Sequence, residues 1–145
     1  MKHALPLAAA LLALSTSAAS ADVTFKYVSA ADARTMIAGD TPPVLADTGA
    51  FSMSLHKRIV SGHPEMHSGW DEELVIQQGD VLLNYGGNGV DAKQPSPGEF
   101  RAGKIEGGKS QMLHAGDIVV IPAGTWHEQI IRTPLMRYVL FKTKK

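Results

Sequence analysis

One stretch, Gly116-Asp117-Ile118-Val119-Val120-Ile121-Pro122-Ala123-Gly124-Thr125-Trp126-His127, limits the folds open to this chain more than any other. It reads as a turn, a short apolar strand, a Pro-x-Gly turn and a histidine that opens the next strand. Upstream, His63-Pro64-Glu65-Met66-His67 sets three potential metal ligands on alternate residues, and Glu72 follows five positions after His67. Side chains at i, i+2 and i+4 of a strand share one face. His63, Glu65 and His67 therefore aim at one point. Residues 68–71 form a loop that can return the chain antiparallel and bring Glu72 beside them, and His127 closes the site from a distant segment. The expectation is a small β-barrel with a metal site in its mouth.

The rest of the chain keeps the same rhythm. Residues 51–60 alternate in polarity, residues 74–76 and 81–85 read as buried strands, and Gly79-Asp80 and Gly86-Gly87-Asn88-Gly89 read as turns. Residues 44–45, 110–113, 118–121, 127–132 and 135–142 supply further extended segments. Ahead of them, residues 23–28 read as a strand and residues 29–38 as one short helix, with Ser29 as N-cap, Asp32 in the first turn and Gly39 as the stop. Residues 90–108 form a long polar insert rich in Pro and Gly, read as a functional or mobile loop that Phe100 and Ile105 pin down. Many short strands joined by Gly/Pro turns indicate an all-β sandwich or closed barrel.

Composition narrows the function classes. The 145 residues suit one domain, and the formal net charge of zero gives no electrostatic footprint for nucleic acid or an anionic membrane. Cysteine is absent, so any metal must be held by histidine and carboxylate. Residues 1–21 have the form of a secretory signal peptide: a basic start at Lys2, an apolar run from Ala4 to Leu14 that is too short to span a bilayer, and an A-x-A site at Ala19-Ser20-Ala21. Cleavage is expected before Asp22, leaving a domain of residues 22–145 in the periplasm or outside the cell, with no membrane segment.

These motifs resemble those of the cupin family. The family pattern G(x)5PxG(x)2H is matched at Gly116, Pro122, Gly124 and His127, with Ile131 at the position where the family pattern ends on Asn. The other pattern, HxH(x)3–4E(x)6G, is matched at His67, Glu72 and Gly79, with Glu65 in place of the first His. The resemblance implies a single-domain cupin jelly roll with one short N-terminal helix. It also implies that Glu65, His67, Glu72 and His127 hold a divalent metal ion, with His63 as the alternative to Glu65. Such a mixed N/O set suits Mn, Fe, Zn, Ni or Co. By the same resemblance the partner is a small-molecule substrate, in chemistry of the oxygenase or isomerase type with Glu65 available as a general base. The alternatives are a binding or sensing module for a carbohydrate or organic acid, with or without metal, and a structural subunit or metal carrier. A homodimer through sheet edges is implied too.

Other residues carry expectations of their own. Ser52, Ser54, His56 and Arg58 form a polar stripe that is either the solvent face of a half-buried strand or a cavity lining. Trp70 is placed to wall the entrance, Trp126 to point away from the site, and Tyr85 and Met53 to join the core. His114 is read as exposed, and residues 142–145 as a solvated basic tail.

Overall fold

The computed structural model describes residues 25–38 and 41–145. The expected signal peptide, its expected cleavage site and Gly39 lie outside the described residues. Residues 25–28 carry no strand, against expectation, and lead straight into a helix. That helix, α1 (Ala30–Met36), begins where Ser29 Oγ accepts the Asp32 N–H at 3.1 Å. Its C-cap Ile37 is buried, and with Leu55 it lines a small cleft on the outer side of the barrel.

Thirteen strands follow among the described residues: β1 (Val44–Asp47), β2 (Phe51–Arg58), β3 (Glu65–His67), β4 (Trp70–Gln78), β5 (Val81–Tyr85), β6 (Asn88–Val90), β7 (Lys93–Ser96), β8 (Glu99–Arg101), β9 (Lys104–Glu106), β10 (Lys109–Leu113), β11 (Ile118–Ile121), β12 (His127–Ile131) and β13 (Met136–Lys144). A five-stranded sheet runs β1-β2-β13-β4-β11, a six-stranded sheet runs β10-β5-β12-β3-β8-β7, and β6 pairs with β9. The pairings are antiparallel, and the two main sheets face each other as a jelly roll. Leu74, Ile76, Val81, Leu83, Leu113, Ile121, Met136, Tyr138 and Leu140 form the core between them.

The period of two along each strand decides what else enters that interior. On β4, the alternate residues Glu72, Leu74 and Ile76 are all buried. On β13, Met136, Tyr138 and Leu140 are buried, and Lys142 continues their face. Register then aligns the polar positions in two ranks. In the first sheet Ile121, Glu72, Lys142 and Ser52 lie side by side on β11, β4, β13 and β2. In the second, Tyr85, His127, Glu65 and Arg101 do so on β5, β12, β3 and β8.

The polar stripe of β2 faces inward and lines the interior. Ser54 is buried, and its Oγ lies 2.8 Å from His56 Nε2. The His56 ring stacks on Tyr138 with centroids 5.0 Å apart. Arg58 Nε donates to Gln129 Oε1 at 2.9 Å and to the Tyr138 hydroxyl at 3.3 Å. The apolar residues of β2 face outward, where Leu55 is covered.

The 90–108 insert is built strand rather than loop. It holds β7, β8 and β9, and β8 joins the second sheet beside β3. Gly89, in the adjoining β6, packs so closely under the Trp126 ring that a Cβ there would collide with it.

The inward orientation of β2 has a measurable consequence. Arg58→Met leaves the Gln129 carboxamide oxygen buried without its donor, so a loss of about 1–3 kcal/mol is expected in urea denaturation. An arginine on a solvent face would cost within about 0.5 kcal/mol.

Candidate metal centre

Four ionisable side chains meet where the two ranks face each other. His127 is 1% exposed, Glu72 4% and His67 5%, so three of the four have left water almost completely. His127 Nε2 lies 3.2 Å from Glu72 Oε2 and 3.6 Å from Glu65 Oε1. His67 Nε2 lies 3.2 Å from Glu72 Oε1, so Glu72 sits between the two imidazoles. Glu65, His67 and His127 each offer one donor atom within 4.8 Å of those of the other two.

Local structure explains why these side chains converge. The Pro122–Thr125 turn is tied down at two points: the Gly124 N–H donates to the His67 carbonyl at 2.8 Å, and the Ala123 N–H donates to Asp71 Oδ1 at 2.7 Å. Gly124 adopts φ +80°, a left-handed conformation that favours glycine. The turn thereby fixes the start of β12 against the ends of β3 and β4, and His127 follows two residues after its last position, Thr125. His127 Nδ1 donates to the Thr125 carbonyl at 3.1 Å, which in the neutral ring leaves a lone pair on Nε2. That Nε2 is buried and has no hydrogen-bonding geometry to either carboxylate, despite its proximity to both. A buried imidazole nitrogen with its tautomer set from behind and oxygen donors in front suits a metal ligand. His67 is held differently: its back nitrogen, Nδ1, lies 2.7 Å from Glu99 Oε2 on the side away from Glu72, in close contact but without hydrogen-bonding geometry.

Two cations balance the carboxylates. Lys142 Nζ is 2.8 Å from Glu72 Oε1, and Arg101 Nη2 is 3.1 Å from Glu65 Oε2. Burial would raise the Glu72 pKa, yet His127, Lys142 and His67 together hold it at about 2. Burial likewise opposes ionisation of Glu65, and His127 and Arg101 bring its pKa below the usual carboxylate value. For His127, burial favours the neutral ring, but Glu65 and Glu72 raise the pKa to about 9. His56 moves the other way: burial, then Arg58, lowers it to about 4, so it is neutral at physiological pH.

The structure brings together Glu65, His67, Glu72 and His127. It leaves His63 outside: that residue is exposed, in the irregular segment before β3. Trp70 belongs to β4 rather than to a loop, and Lys144 lies over its ring at 6.0 Å. Trp126 packs on Gly89. Tyr85 packs against the core, His114 is exposed and pairs with Asp80, and Met53 is half-buried on the outer face of β2.

Four contributors were not singled out from the sequence: Asp71, Glu99, Arg101 and Lys142. Lys142 is not part of a solvated tail, because it extends the inward face of β13. The alternation Met136, Tyr138, Leu140, Lys142 was the available signal. Glu99 and Arg101 alternate around Phe100 in the same way, inside a segment dense in Gly and Pro that hides its strands.

Solved structures share this architecture. A cupin-2 domain containing protein from Shewanella frigidimarina is 16% identical, with a TM-score of 0.56 over 80% of this chain and 93% of that one. A protein from Bacillus halodurans is 16% identical, with a TM-score of 0.59 over 82% of this chain and 81% of its own. A protein from Neisseria meningitidis is 15% identical, with a TM-score of 0.57 over 81% of this chain and 99% of its own. No family model matches the sequence, and no curated protein matches it. The likeness lies in the fold, which is the cupin fold.

The shifted groups set a pH dependence for the metal-free protein. His127 rises from 6.5 to about 9 on folding, so its contribution is complete below pH 6.5 and is lost as pH climbs towards 9. Glu72 falls from 4.5 to about 2, so its contribution is complete above pH 4.5 and is lost as pH drops towards 2. After chelation, the thermal midpoint is expected to peak between those limits. His127→Asn should flatten the alkaline limb; an unchanged limb would show that His127 carries no extra proton in the folded state.

Proposed function

We propose that this cupin-fold chain holds a divalent cation at Glu65, His67, Glu72 and His127 and uses it to bind and convert a small molecule in the barrel mouth, by chemistry of the oxygenase or isomerase type. The observation that carries this is the convergence of donor atoms from Glu65, His67 and His127, all within 4.8 Å of one another, with Glu72 Oε2 3.2 Å from His127 Nε2. Two imidazoles and two carboxylates suit Mn, Fe, Zn, Ni or Co.

When bound, such an ion supplies Lewis acidity to a ligand oxygen. The chain's own residues do the rest. Thr125 orients the His127 imidazole from behind, and Glu99 stands 2.7 Å from His67 Nδ1. Arg101 and Lys142 keep the Glu65 and Glu72 carboxylates ionised and in place. Glu65, with its side chain 19% exposed, is the more accessible of the two carboxylates; where the other three residues hold the ion, it is the one placed to accept a proton from a bound molecule instead.

A second reading has its own support. The carboxylates are already neutralised by His127, Lys142 and Arg101, so the pocket can persist as a metal-free binding site. Metal analysis of untagged protein separates the two. About one equivalent of a divalent ion is expected after loading and dialysis. His127→Ala should weaken metal binding by about tenfold or more while the circular dichroism spectrum stays that of the parent. His63→Ala should bind as the parent does, and Glu65→Gln should not. Protein that stays empty after loading would leave the metal-free reading standing.

Export is part of the same proposal and places the protein in the periplasm or outside the cell. The mature chain is expected to begin at Asp22, which intact mass measurement of secreted material checks.

A further inference from the structure

The outer face of the five-stranded sheet carries a second space, remote from the cluster. It measures about 410 Å³ and lies between α1 and the adjoining ends of β4 and β13. Gln78, in its wall, stands six residues along β4 from Glu72, so the two sites are roughly 20 Å apart at about 3.3 Å per residue. None of Glu65, His67, Glu72 and His127 enters the lining, so the space is independent of the metal centre.

Two local features open it. The helical segment turns Ala30, Ala33, Arg34 and Ile37 towards the sheet, the i, i+3, i+4 and i+7 positions of one face. Two of these are alanines, and no residue within α1 is buried, so the helix stands off the strands. Opposite it, β4 is bulged: Arg137 pairs with Gln78 and Tyr138 with Ile76, which leaves Gln77 as an extra residue. A bulge re-aims the side chains around it, and Gln77, Gln78 and Arg137 all line the space.

The lining holds two guanidinium groups and, among the described residues, no carboxylate. Neither Arg34 nor Arg137 forms an ion pair among the described residues, unlike Arg101, Lys142 and Lys145. Asp117, next to the lining residue Gly116, gives its Oδ2 to the His114 N–H at 2.8 Å. Arg137 Nη1 donates to Gln78 Oε1, which fixes the guanidinium, but the Arg137 Nε is buried and finds no acceptor among the described residues. An arginine on a solvated face keeps that N–H in water; buried and unpaired, it is costly. An oxygen of a bound anion would supply the acceptor, and the guanidinium fork matches the paired oxygens of phosphate. Two unpaired positive charges on one space favour a dianion over a monoanion.

We propose that this space binds a small phosphate monoester, its phosphate held between Arg34 and Arg137 and its organic part against Ala30 and Ala33. The volume lies within the range of small-molecule pockets and exceeds what a bare phosphate needs. Such a ligand bridges α1 and the sheet. A helix of 7 residues with no buried side chain has little to hold it in place, so its docking follows occupancy.

Titration calorimetry of the mature chain at about pH 8, where a phosphate monoester is dianionic, tests this with phenyl phosphate, inorganic phosphate and benzoate. Phenyl phosphate is expected to bind about tenfold or more tighter than benzoate, through its second charge, and tighter than inorganic phosphate, through its ring. Chelation of the protein should leave that affinity unchanged. Arg34→Gln and Arg137→Gln should each weaken it by about tenfold or more, and Arg34 is exposed, so its replacement does not put the fold at risk. Lys109→Gln removes the same charge from β10 of the other sheet and should bind as the parent does. Hydrogen exchange at the Ala33 and Ile37 N–H groups, which donate within the helical segment, should slow several-fold at saturation.

Failure of phenyl phosphate to bind would overturn the proposal, as would binding that is lost on chelation, which would put the phosphate on the metal instead. Benzoate or inorganic phosphate binding as tightly as phenyl phosphate would overturn the ligand class. Equal weakening by Lys109→Gln and Arg34→Gln would reduce the effect to net charge and sink the site. Exchange in α1 that ignores saturating phenyl phosphate would do the same.

Discussion

Everything distinctive about this molecule follows from placing carboxylate charge inside a β-barrel. A lone ionised carboxylate in that environment would be forced neutral. Glu72 stays ionised because His127, Lys142 and His67 surround it, each delivered by a different strand. The interaction is local in space and remote in sequence, so it can form only after both sheets have registered. The network therefore depends on correct pairing, and a slip of one residue on β4 or β13 would turn Glu72 or Lys142 outward.

Around that network the barrel divides its interior by layer. Leu74, Ile76, Leu83 and Met136 fill one part without polar groups. The stripe of β2 brings Ser54, His56 and Arg58 into the remainder, and each is satisfied: Ser54 by His56, His56 by stacking on Tyr138, and Arg58 by Gln129. Neutral His56 and cationic Arg58 show why residue type alone does not mark a ligand. His56 is half-buried and its ring nitrogen is matched by a hydroxyl, whereas the Nε2 of His127 faces two carboxylates.

Much of the fold was legible because turn chemistry and the period of two act over a few residues. Residues 81–85 and 118–121 read as strands and are β5 and β11 to the residue. The convergence of His67, Glu72 and His127 was legible through motif spacing. What the sequence hid was orientation and partnership. The stripe of β2 has one alternation with two possible facings, and only the pairing of His56 with Tyr138 decides between them. Lys142 looked like part of a basic terminus because charge pattern outweighed alternation. Glu99 and Arg101 sat among glycines and prolines that read as loop, and their strand forms only because β3 offers an edge to pair with. Residues 25–28 failed in the opposite sense: they alternate, but no strand among the described residues pairs with them.

The origin of Glu99 and Arg101 has a wider implication. Both come from β8, within an insert whose strands are short and mostly exposed, while His67, Glu72 and His127 stand on the main framework of the barrel. The groups that flank Glu65 and His67 thus ride on an insert that contributes none of the apolar core, and their position depends on one edge pairing, β8 with β3.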